Sequence, residues 1–560
     1  MGNPKAFMEI HRQEAGYRPI HDRIHDFGEV EQTLSTRERR LQASRCMDCG
    51  VPFCHWACPL GNKAPEWNDA LYRGDWEQAY RLLSSTNPFP EFTGRICPAL
   101  CEKACVLNRF NHEPTTNRED EAAITEMAFQ EGFIQPRIPA RRVMKIQTPP
   151  LTPPLEGRGT AAPGTAGRGV GSVTSPAAGA ASPAAGAAAS PAGSVPVRVA
   201  VIGAGPAGLA CADALNQMGY TVTVFEKNES AGGLLRYGIP NFKLNKAIID
   251  RRLRLLEAEG IEFRYNVSLT PNPSPKGEGS DYFCLQDEQD HSTPLSLWRG
   301  DGGEAPFDAV VIATGTPTAR DLRIPGRDLR GVHFALELLS QQNRVLAGME
   351  FSKADRITAK GKDVLVIGGG DTGSDCIGTA HRQGARSVTQ IEIMPRPVEG
   401  PDDPQNPWPA WPRTLKTTSS HEEGCTRRWN INTLEFLGTD GHLTGVRVQE
   451  IDWQYPAQPL PSHQGEGSGV GPVSSPAAGT PAAAARPAAP ARPVMVPKGD
   501  PFIIKADLVL LAMGFLKPDH PEYPENVFVC GDSANGASLV VRAMASGRQT
   551  ARKIHEYLNE

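Results

Sequence analysis

The sequence predicts an α/β fold in which two strand–turn–helix–strand units follow a helical, cysteine-rich segment. Three observations predict it. A glycine turn separates an apolar strand from a helix at residues 199–226, and the same arrangement returns at residues 363–397. Seven of the twelve cysteines lie between Cys46 and Cys105. A chain of 560 residues is long enough for two to four domains.

Composition argues against several classes of protein. The formal net charge is −5 and basic residues are not concentrated in one segment, so nucleic acid is not an expected partner. Outside alanine-rich low complexity the chain has no apolar run of about 18 residues, and residues 1–12 lack the apolar core of a signal peptide. We therefore expect a cytoplasmic protein without a membrane anchor.

The N-terminal segment is expected to be helical. Ser35 with Glu38 and Thr116 with Glu119 have the spacing of capping boxes, and Asp75 precedes another helical pattern. In a reducing compartment the clustered cysteines of this segment indicate a metal site and not disulfides.

The cysteine spacing favours iron–sulfur clusters. The patterns C-x2-C-x4-C-x3-C and C-x3-C-x3-C are formed by two groups: Cys46, Cys49, Cys54 and Cys58, then Cys97, Cys101 and Cys105. Each [4Fe–4S] cluster takes four ligands. Structural zinc, the alternative, usually shows two C-x2-C pairs or histidine pairs, and only Cys46 and Cys49 form such a pair here.

Seven cysteines cannot fill the eight positions of two clusters. Either one cluster is bound and some thiols are spare, or two are bound and one ligand is not a cysteine. The candidates for that ligand are nearby oxygen or nitrogen donors: Glu121, Glu119, Asp120 and His112.

Three stretches have too few apolar residues to form a core: 146–195, 269–280 and 457–498. Their sequences partly repeat one another. We interpret the first as a disordered linker. We hypothesise that one coding element was inserted three times, each time in a surface loop, where added length changes closure entropy only slowly.

The first glycine turn predicts a dinucleotide site. Gly203, Gly205 and Gly208 give G-x-G-x-x-G, and the next strand ends in Glu226, which can accept hydrogen bonds from a ribose. The helix N-terminus favours phosphate. The alternative is a glycine-rich turn in another kind of α/β protein. Further candidate residues lie in this turn or at neighbouring strand ends: Pro206, Ala207, Lys227, Gly233, Leu234, Thr314 and Gly315.

The second glycine turn repeats the pattern. Its candidate residues are Gly368, Gly370, Asp371, Thr372 and Gly373. The strand that follows, 387–397, is expected to end near Arg396 and not in an acid. An arginine there accommodates a 2′-phosphate, which favours NADPH over NADH, although a solvated loop arginine is the alternative.

After residue 507 come two apolar strands, the first ending in Met-Gly. The second precedes Gly531 and Asp532, and Asp532 can hydrogen-bond a ribityl hydroxyl of a flavin, or serve only as a helix cap. The next helix can stabilise negative charge at the pyrimidine end of a flavin through its N-terminus, near Leu539 and Val540.

Together these motifs resemble a known family. Two dinucleotide units, strand ends in Thr-Gly and Met-Gly, and a late C-G-D resemble the flavin disulfide-reductase fold, in which a nicotinamide domain is inserted in a flavin domain. No C-x-x-C lies near the nicotinamide domain, so dithiol exchange is not expected. With the N-terminal cysteines, N-P-W-P-A-W-P (406–412) and H-E-E-G-C-T-R (421–427), the chain resembles the small subunit of NAD(P)H-dependent glutamate synthase.

The resemblance implies cofactors and cluster ligands. FAD would bind at the first turn and NADPH, or NADH, at the second. A similar module in dihydropyrimidine dehydrogenase implies two [4Fe–4S] clusters. Their implied ligands are Cys46, Cys49, Cys54 and Cys105 for one cluster, and Cys58, Cys97, Cys101 and Glu121 for the other.

The resemblance also implies a function. The chain would pass electrons from NADPH to a separate large subunit that makes glutamate from glutamine and 2-oxoglutarate, because it has no room for a glutaminase domain or an FMN-binding barrel. The alternatives are a related oxidoreductase that serves ferredoxin, sulfur or a pyrimidine-reducing partner, and a non-catalytic scaffold. The expected segments are an iron–sulfur domain (1–145), a linker (146–195), the FAD domain (196–330 and 516–560) and the NADPH domain (331–515).

Overall fold

The computed structural model describes residues 3, 5–145, 194–272, 282–287, 295–296, 307–454 and 493–560. Most of the expected linker and of the two expected insertions lies outside these residues, so their interpretation stays a prediction. None of the helices in the described ranges is both long and apolar enough to cross a lipid bilayer.

The N-terminal part of the chain is helical. As expected, Ser35 begins a helix with a complete capping box, and Asp75 accepts a hydrogen bond from the N–H of Gln78 at 3.0 Å. The helices are α1 (Ala6–Glu9), α2 (Ile20–Arg23), α3 (Thr36–Ala43), α4 (Phe53–Ala57), α5 (Ala64–Arg73), α6 (Trp76–Thr86), α7 (Pro90–Ile96), α8 (Leu100–Lys103), α9 (Val106–Phe110) and α10 (Asn117–Gln130).

Thr116 does not form the expected capping box. Its hydroxyl donates to Asp120 Oδ2 at 3.0 Å, and Glu119 accepts from Arg39 Nη2 at 2.9 Å. Arg39 is buried and also donates to Asp120. A buried guanidinium needs opposing charge, so it draws both acids toward α3 and away from the helix terminus.

The remaining strands and helices build the α/β part. The strands are β1 (Val143–Lys145), β2 (Ser194–Pro196), β3 (Arg198–Ile202), β4 (Thr221–Phe225), β5 (Glu262–Arg264), β6 (Val267–Asn272), β7 (Tyr282–Asp287), β8 (Leu295–Ser296), β9 (Ala309–Ile312), β10 (Val332–Phe334), β11 (Asp363–Ile367), β12 (Ser387–Ile391), β13 (Thr426–Arg428), β14 (Ile431–Thr439), β15 (His442–Gln454), β16 (Val494–Lys505), β17 (Leu508–Leu511) and β18 (Val527–Val529). The helices are α11 (Pro206–Gln217), α12 (Leu234–Tyr237), α13 (Lys246–Ala258), α14 (Ala335–Leu346), α15 (Asp371–Arg382), α16 (Ser419–Glu422), α17 (Gly531–Asn535) and α18 (Val540–Tyr557).

Two parallel sheets organise this part. The first has the strand order β18-β9-β3-β4-β5, and the second has the order β10-β17-β11-β12-β13. The chain leaves the first sheet after β9, completes the second, and returns through β18, which pairs with β9. This topology confirms the predicted fold class, in which one dinucleotide-binding domain is inserted in another.

Smaller antiparallel sheets complete the fold. β14, β15 and β16 form a three-stranded sheet, β6, β7 and β8 form another, and β1 pairs with β2. The strand β16 begins at Val494, inside the stretch 457–498 that was expected to be low-complexity insertion.

The helical domain packs on both α/β domains. Phe89 and Phe92 join the apolar core of the first parallel sheet, and the Arg252 guanidinium of α13 lies against the buried Glu91 carboxylate. Contacts of this kind, between residues far apart in sequence, hold the cysteine-rich segment against the domain of the first parallel sheet.

A buried ion pair connects the helical domain to the second α/β domain. Arg23 Nε lies 2.9 Å from Glu423 Oε1, and Arg382 Nη1 lies 2.6 Å from Glu423 Oε2. All three side chains are almost completely buried. Glu423 therefore balances two guanidinium groups that come from different domains.

Candidate functional site

The first glycine turn joins β3 to α11. Gly203 has a φ of +104°, and a Cβ there would lie 2.5 Å from the carbonyl oxygen of Ala313. A Cβ at Gly208 would lie 1.9 Å from the carbonyl oxygen of Gly203, so the helix packs directly on the turn. A Cβ at Gly205 would meet nothing within 4 Å. The turn thus offers open space at a helix N-terminus, where a phosphate fits.

Glu226 follows β4 and supports this turn. Its Oε2 accepts a hydrogen bond from the N–H of Ala204 at 2.9 Å, and its Oε1 accepts from the N–H and side chain of Asn228 at 3.0 and 2.6 Å. The side chain is buried. Because a carboxylate offers about four acceptor positions, Glu226 can still accept from a ribose.

Other predicted residues of the first unit gather around the same turn. A Cβ at Gly233 would lie 2.8 Å from Gly205 Cα, and one at Gly531 would lie 2.4 Å from Ala207 Cβ. These glycines therefore allow three backbone segments to approach one another. Lys227 and Leu234 also belong to these segments, and both are exposed.

The ends of β9 and β18 meet beside the turn. Thr314 Oγ1 lies 3.2 Å from Ser533 Oγ, and Gly315 has a φ of +73°. Asp532 Oδ1 accepts from the Ser538 hydroxyl at 2.6 Å, and burial raises the pKa of Asp532. The helix α18 begins at Val540 with Leu539 as its N-cap residue, as expected.

The second glycine turn has the same geometry. A Cβ at Gly368 would lie 2.2 Å from the carbonyl oxygen of Ala512, and one at Gly373 would lie 2.5 Å from that of Gly368. At Gly370 a Cβ would meet nothing within 4 Å. Asp371 and Thr372 form the first turn of α15, in which Asp371 is exposed.

The expectation that the next strand ends near Arg396 without an acid is wrong. β12 ends at Ile391, so Glu392 follows it directly, as Glu226 follows β4. Glu392 accepts hydrogen bonds from the N–H groups of Gly369 and Met394. The strand is shorter than the apolar pattern suggested because its parallel pairing with β13 stops at Ile391.

Arg396 lies in the loop beyond Glu392. It is exposed, pairs with Glu399, and stands 5.1 Å from the centre of the Trp429 ring. Arg427, the last residue of the H-E-E-G-C-T-R segment and not a predicted site residue, stands at the same distance from that ring. Its Nε is buried without a hydrogen-bond partner in the described residues, and burial lowers its pKa. No pattern in the sequence relates these arginines, because they meet through β12 and β13.

The first group of thiols lines one cavity. Cys46, Cys49, Cys54 and Cys105 surround it together with Phe53. The spacing of the sequence placed Cys105 in the other cysteine group. The start of α9 brings it here instead.

The four cysteines of this cavity are half-buried. Burial raises the pKa of Cys54 to about 12 and raises that of Cys46 still further. The Thr115 hydroxyl lies 3.9 Å from Cys105 Sγ and donates to it. Without a cation the thiolate forms are therefore disfavoured, and a metal would have to stabilise them.

The second group lines another cavity. Cys58, Cys97, Cys101 and Glu121 surround it, and Val541 of α18 forms part of its wall. A Cβ at Gly547 of the same helix would lie 2.1 Å from the carbonyl oxygen of Ala207, so α18 connects this cavity to the first glycine turn.

Glu121 is held in place by three side chains. Its carboxylate accepts from Asn62 Nδ2 at 2.7 Å, from the Thr93 hydroxyl at 2.8 Å and from Asn87 Nδ2 at 3.4 Å. Burial raises the pKa of Glu121 to about 8, against the effect of these donors. The sequence carried no pattern for these three partners, since they come from separate helices and loops.

Each cavity fits an iron–sulfur cluster better than a single ion. Within the described residues, no three His, Cys, Asp or Glu side chains are arranged to hold one metal ion, whereas each cavity presents four donors around a common space. A [4Fe–4S] cluster takes four ligands around a core of several atoms, so the donor sets fit it.

Two families match successive parts of the chain. Residues 23–133 match the family described as dihydropyrimidine dehydrogenase domain II, 4Fe-4S cluster, and residues 197–407 match pyridine nucleotide-disulphide oxidoreductase. The first match confirms the prediction of [4Fe–4S] binding and goes against the zinc alternative. The second agrees with the order of the two parallel sheets.

Curated relatives match over the whole chain. The glutamate synthase (NADPH) small chain of Mycobacterium tuberculosis is 38% identical over 585 residues, which cover 100% of this chain and 96% of the relative. The small chain of the same name from Bacillus subtilis is 33% identical and covers 100% and 99%. The glutamate synthase (NADH) of Schizosaccharomyces pombe is 34% identical, covering 98% of this chain and 22% of that protein. The chain belongs to the glutamate synthase small chain family.

Proposed function

We propose that this chain is the electron-input subunit of a glutamate synthase. It binds FAD at the first glycine turn, NADPH at the second and [4Fe–4S] clusters at the thiol cavities. The observation that carries the proposal is the position of α18, which packs on the first glycine turn at Gly547 and lines the second cavity through Val541. A flavin and a cluster bound at these places would be neighbours.

The chain supplies binding and electrostatics. A bound FAD would supply the chemistry that links two-electron hydride transfer from a nicotinamide to single-electron transfer to clusters. Gly205 and Gly370 leave space for the two pyrophosphates, and the N-termini of α11 and α15 point N–H groups at them. The N-terminus of α18, at Leu539 and Val540, stabilises negative charge on the flavin. Asp532 binds a ribityl hydroxyl.

We propose two clusters with the ligands that the resemblance implied. Cys46, Cys49, Cys54 and Cys105 hold one, and Cys58, Cys97, Cys101 and Glu121 hold the other. The grouping of these side chains around two cavities supports the assignment. Glu121 is already aimed by Asn62, Thr93 and Asn87, so its carboxylate can serve as a ligand without reorganisation.

NADPH is the proposed electron donor, with NADH as the alternative. Glu392 by itself favours the 2′-hydroxyl of NADH, because an acid after this strand accepts from a ribose. Arg396 and Arg427 favour NADPH, because two guanidinium groups beside one ring create a site for a 2′-phosphate. Relatives named for each nucleotide match this chain.

The proposed acceptor is a separate large subunit in the cytoplasm. The relatives that match over nearly their full length are named small chains, which supports a partner of this kind. That partner would make glutamate from glutamine and 2-oxoglutarate with the electrons it receives.

The test is an anaerobic titration of the purified full chain with NADPH, followed by visible and EPR spectra, with iron and sulfide analysis. Bleaching of the flavin with about eight irons per chain supports the proposal and both clusters. About four irons would leave the electron transfer standing but remove one cluster and the role of Glu121. No bleaching by NADPH or NADH would overturn the proposed function. Glutamate formation after addition of a large subunit then tests the partner.

A further inference from the structure

The N-P-W-P-A-W-P segment of the second α/β domain reaches into the helical domain. Trp408 Nε1 donates a hydrogen bond to the carbonyl oxygen of Cys105 at 3.3 Å. The Trp408 ring also packs on Phe53, with 4.7 Å between ring centres. Phe53 and Cys105 both line the first thiol cavity. A side chain of the nucleotide-binding domain therefore contacts two residues in the wall of a cavity that the helical domain builds.

The two contacts of Trp408 act on different properties of this cavity. The N–H dipole points toward the backbone of Cys105, one of the four thiol residues. The indole ring and Phe53 together place apolar surface at the rim. Trp56 also packs on Phe53, with 5.9 Å between ring centres, but it is 75% exposed and so shields the rim less completely.

We propose that Trp408 is a positioning residue that sets the reduction potential and the solvent exposure of the cluster at Cys46, Cys49, Cys54 and Cys105. This inference rests on the proposed function, because it needs a cluster at these thiols. Hydrogen bonds and solvent exposure are among the factors that set the potentials of iron–sulfur clusters. Loop 399–418 thereby joins the nucleotide-binding domain to the electron path, which gives the N-P-W-P segment a role.

The two parts of the Trp408 side chain should have opposite effects on the reduction potential. A reduced cluster carries one more negative charge than an oxidised one, and an N–H donor that offsets the partial negative charge of the Cys105 carbonyl oxygen stabilises the reduced state. Trp408→Phe keeps an aromatic ring and removes the donor, so the midpoint potential should become more negative. Trp408→Ala also admits water, which stabilises the reduced state, so its potential should lie above that of Trp408→Phe.

The experiment is a redox titration of the full chain followed by EPR, together with the rate of iron release to a ferrous chelator. Trp411→Phe is the matched control, because Trp411 lies in the same segment but has the Lys416 ammonium over its ring at 4.7 Å. Iron and sulfide content are measured first for every protein. If Trp408→Ala fails to retain iron, the potential measured in the conservative Trp408→Phe variant tests the inference.

We expect Trp408→Phe to shift one cluster potential downward and Trp411→Phe to leave both unchanged. We also expect Trp408→Ala to release iron several-fold faster than the wild type. Wild-type potentials in a Trp408→Phe variant with full iron content would overturn the inference while leaving the proposed function intact. A wild-type protein without iron would overturn the proposed function, and this inference with it.

Discussion

Two glycines of the second turn should respond to alanine in different ways. A Cβ at Gly370 meets nothing within 4 Å, and the residue has an extended backbone that alanine also adopts (φ −82°, ψ −175°). A Cβ at Gly373 would lie 2.5 Å from the carbonyl oxygen of Gly368 and 2.9 Å from Gln390 Nε2. Gly370→Ala should therefore impair nucleotide binding, whereas Gly373→Ala should impair folding.

The expected magnitudes follow from these contacts. At Gly373 the helix must move away from the turn, and overpacking of this kind costs about 1–3 kcal/mol, which lowers Tm by about 2–12 °C. At Gly370, alanine is a poorer N-cap residue, which destabilises the fold, but it also lowers the entropy of the unfolded chain, which stabilises the fold. Each effect is below about 1 kcal/mol, so they nearly cancel. The added methyl fills space meant for the pyrophosphate, so KM for NADPH should rise about tenfold or more, or about 1.4 kcal/mol.

The assay combines thermal unfolding with NADPH-dependent reduction of an artificial acceptor. Flavin content serves as the control, since neither substitution touches the first turn. A Gly370→Ala variant that loses as much Tm as Gly373→Ala would refute the steric argument. An unchanged KM for NADPH in Gly370→Ala would show that the nucleotide does not lie over this turn.

Three further predictions concern the second α/β domain. Arg427→Gln should raise KM for NADPH about tenfold, since a hydrogen bond to a charged group contributes about 1.5–3 kcal/mol, and should leave KM for NADH nearly unchanged in steady-state assays. Glu423→Ala should lower the free energy of unfolding by about 3–5 kcal/mol in denaturant titrations, because it leaves the buried Arg382 without its carboxylate and leaves Arg23 with Glu422 alone. Burial and the charge of Arg427 lower the pKa of His421 to about 4, so the folded protein binds fewer protons than the unfolded chain between about pH 6.5 and 4. The free energy of unfolding should therefore fall as pH drops through this window. The upper bound is about 3 kcal/mol, and partial exposure of the ring to solvent makes the actual loss smaller.

Each of these predictions has its own control. Equal losses with NADPH and NADH in Arg427→Gln would contradict a 2′-phosphate site. A Glu423→Ala protein as stable as the wild type would show that the two arginines find other partners. In His421→Gln the decline in stability between pH 6.5 and 4 should be smaller than in the wild type. An identical pH profile would exclude His421 as the source of the decline.

Local features of the fold could be read from the sequence because they depend on neighbouring residues. Ser35 and Asp75 cap their helices as predicted, since a cap needs only the next three residues. Thr116 has the same spacing but fails, because Arg39 comes from another helix and attracts Glu119 and Asp120. The capping pattern contained no information about that guanidinium.

The strand after the second turn shows the same limit. Its apolar pattern extends to Met394, yet the strand ends at Ile391 because its partner β13 ends there. The role of Glu392 was therefore missed, although it stands after its strand as Glu226 does. Arg427 was missed because it reaches Trp429 and Arg396 only when β12 and β13 lie side by side.

The sequence by itself determined the two glycine turns, the strands that flank them and the cysteine-rich character of the helical segment. Glycine allows close backbone approach, and cysteine binds metal, in any part of a fold, so these properties can be read from the sequence. Only the tertiary structure decided which side chains support these sites: Asn62, Thr93 and Asn87 hold Glu121, and Trp408 contacts two residues that line the first cavity. These relations join residues far apart in the chain, and they arise because three domains pack against one another and bury charges that then need partners.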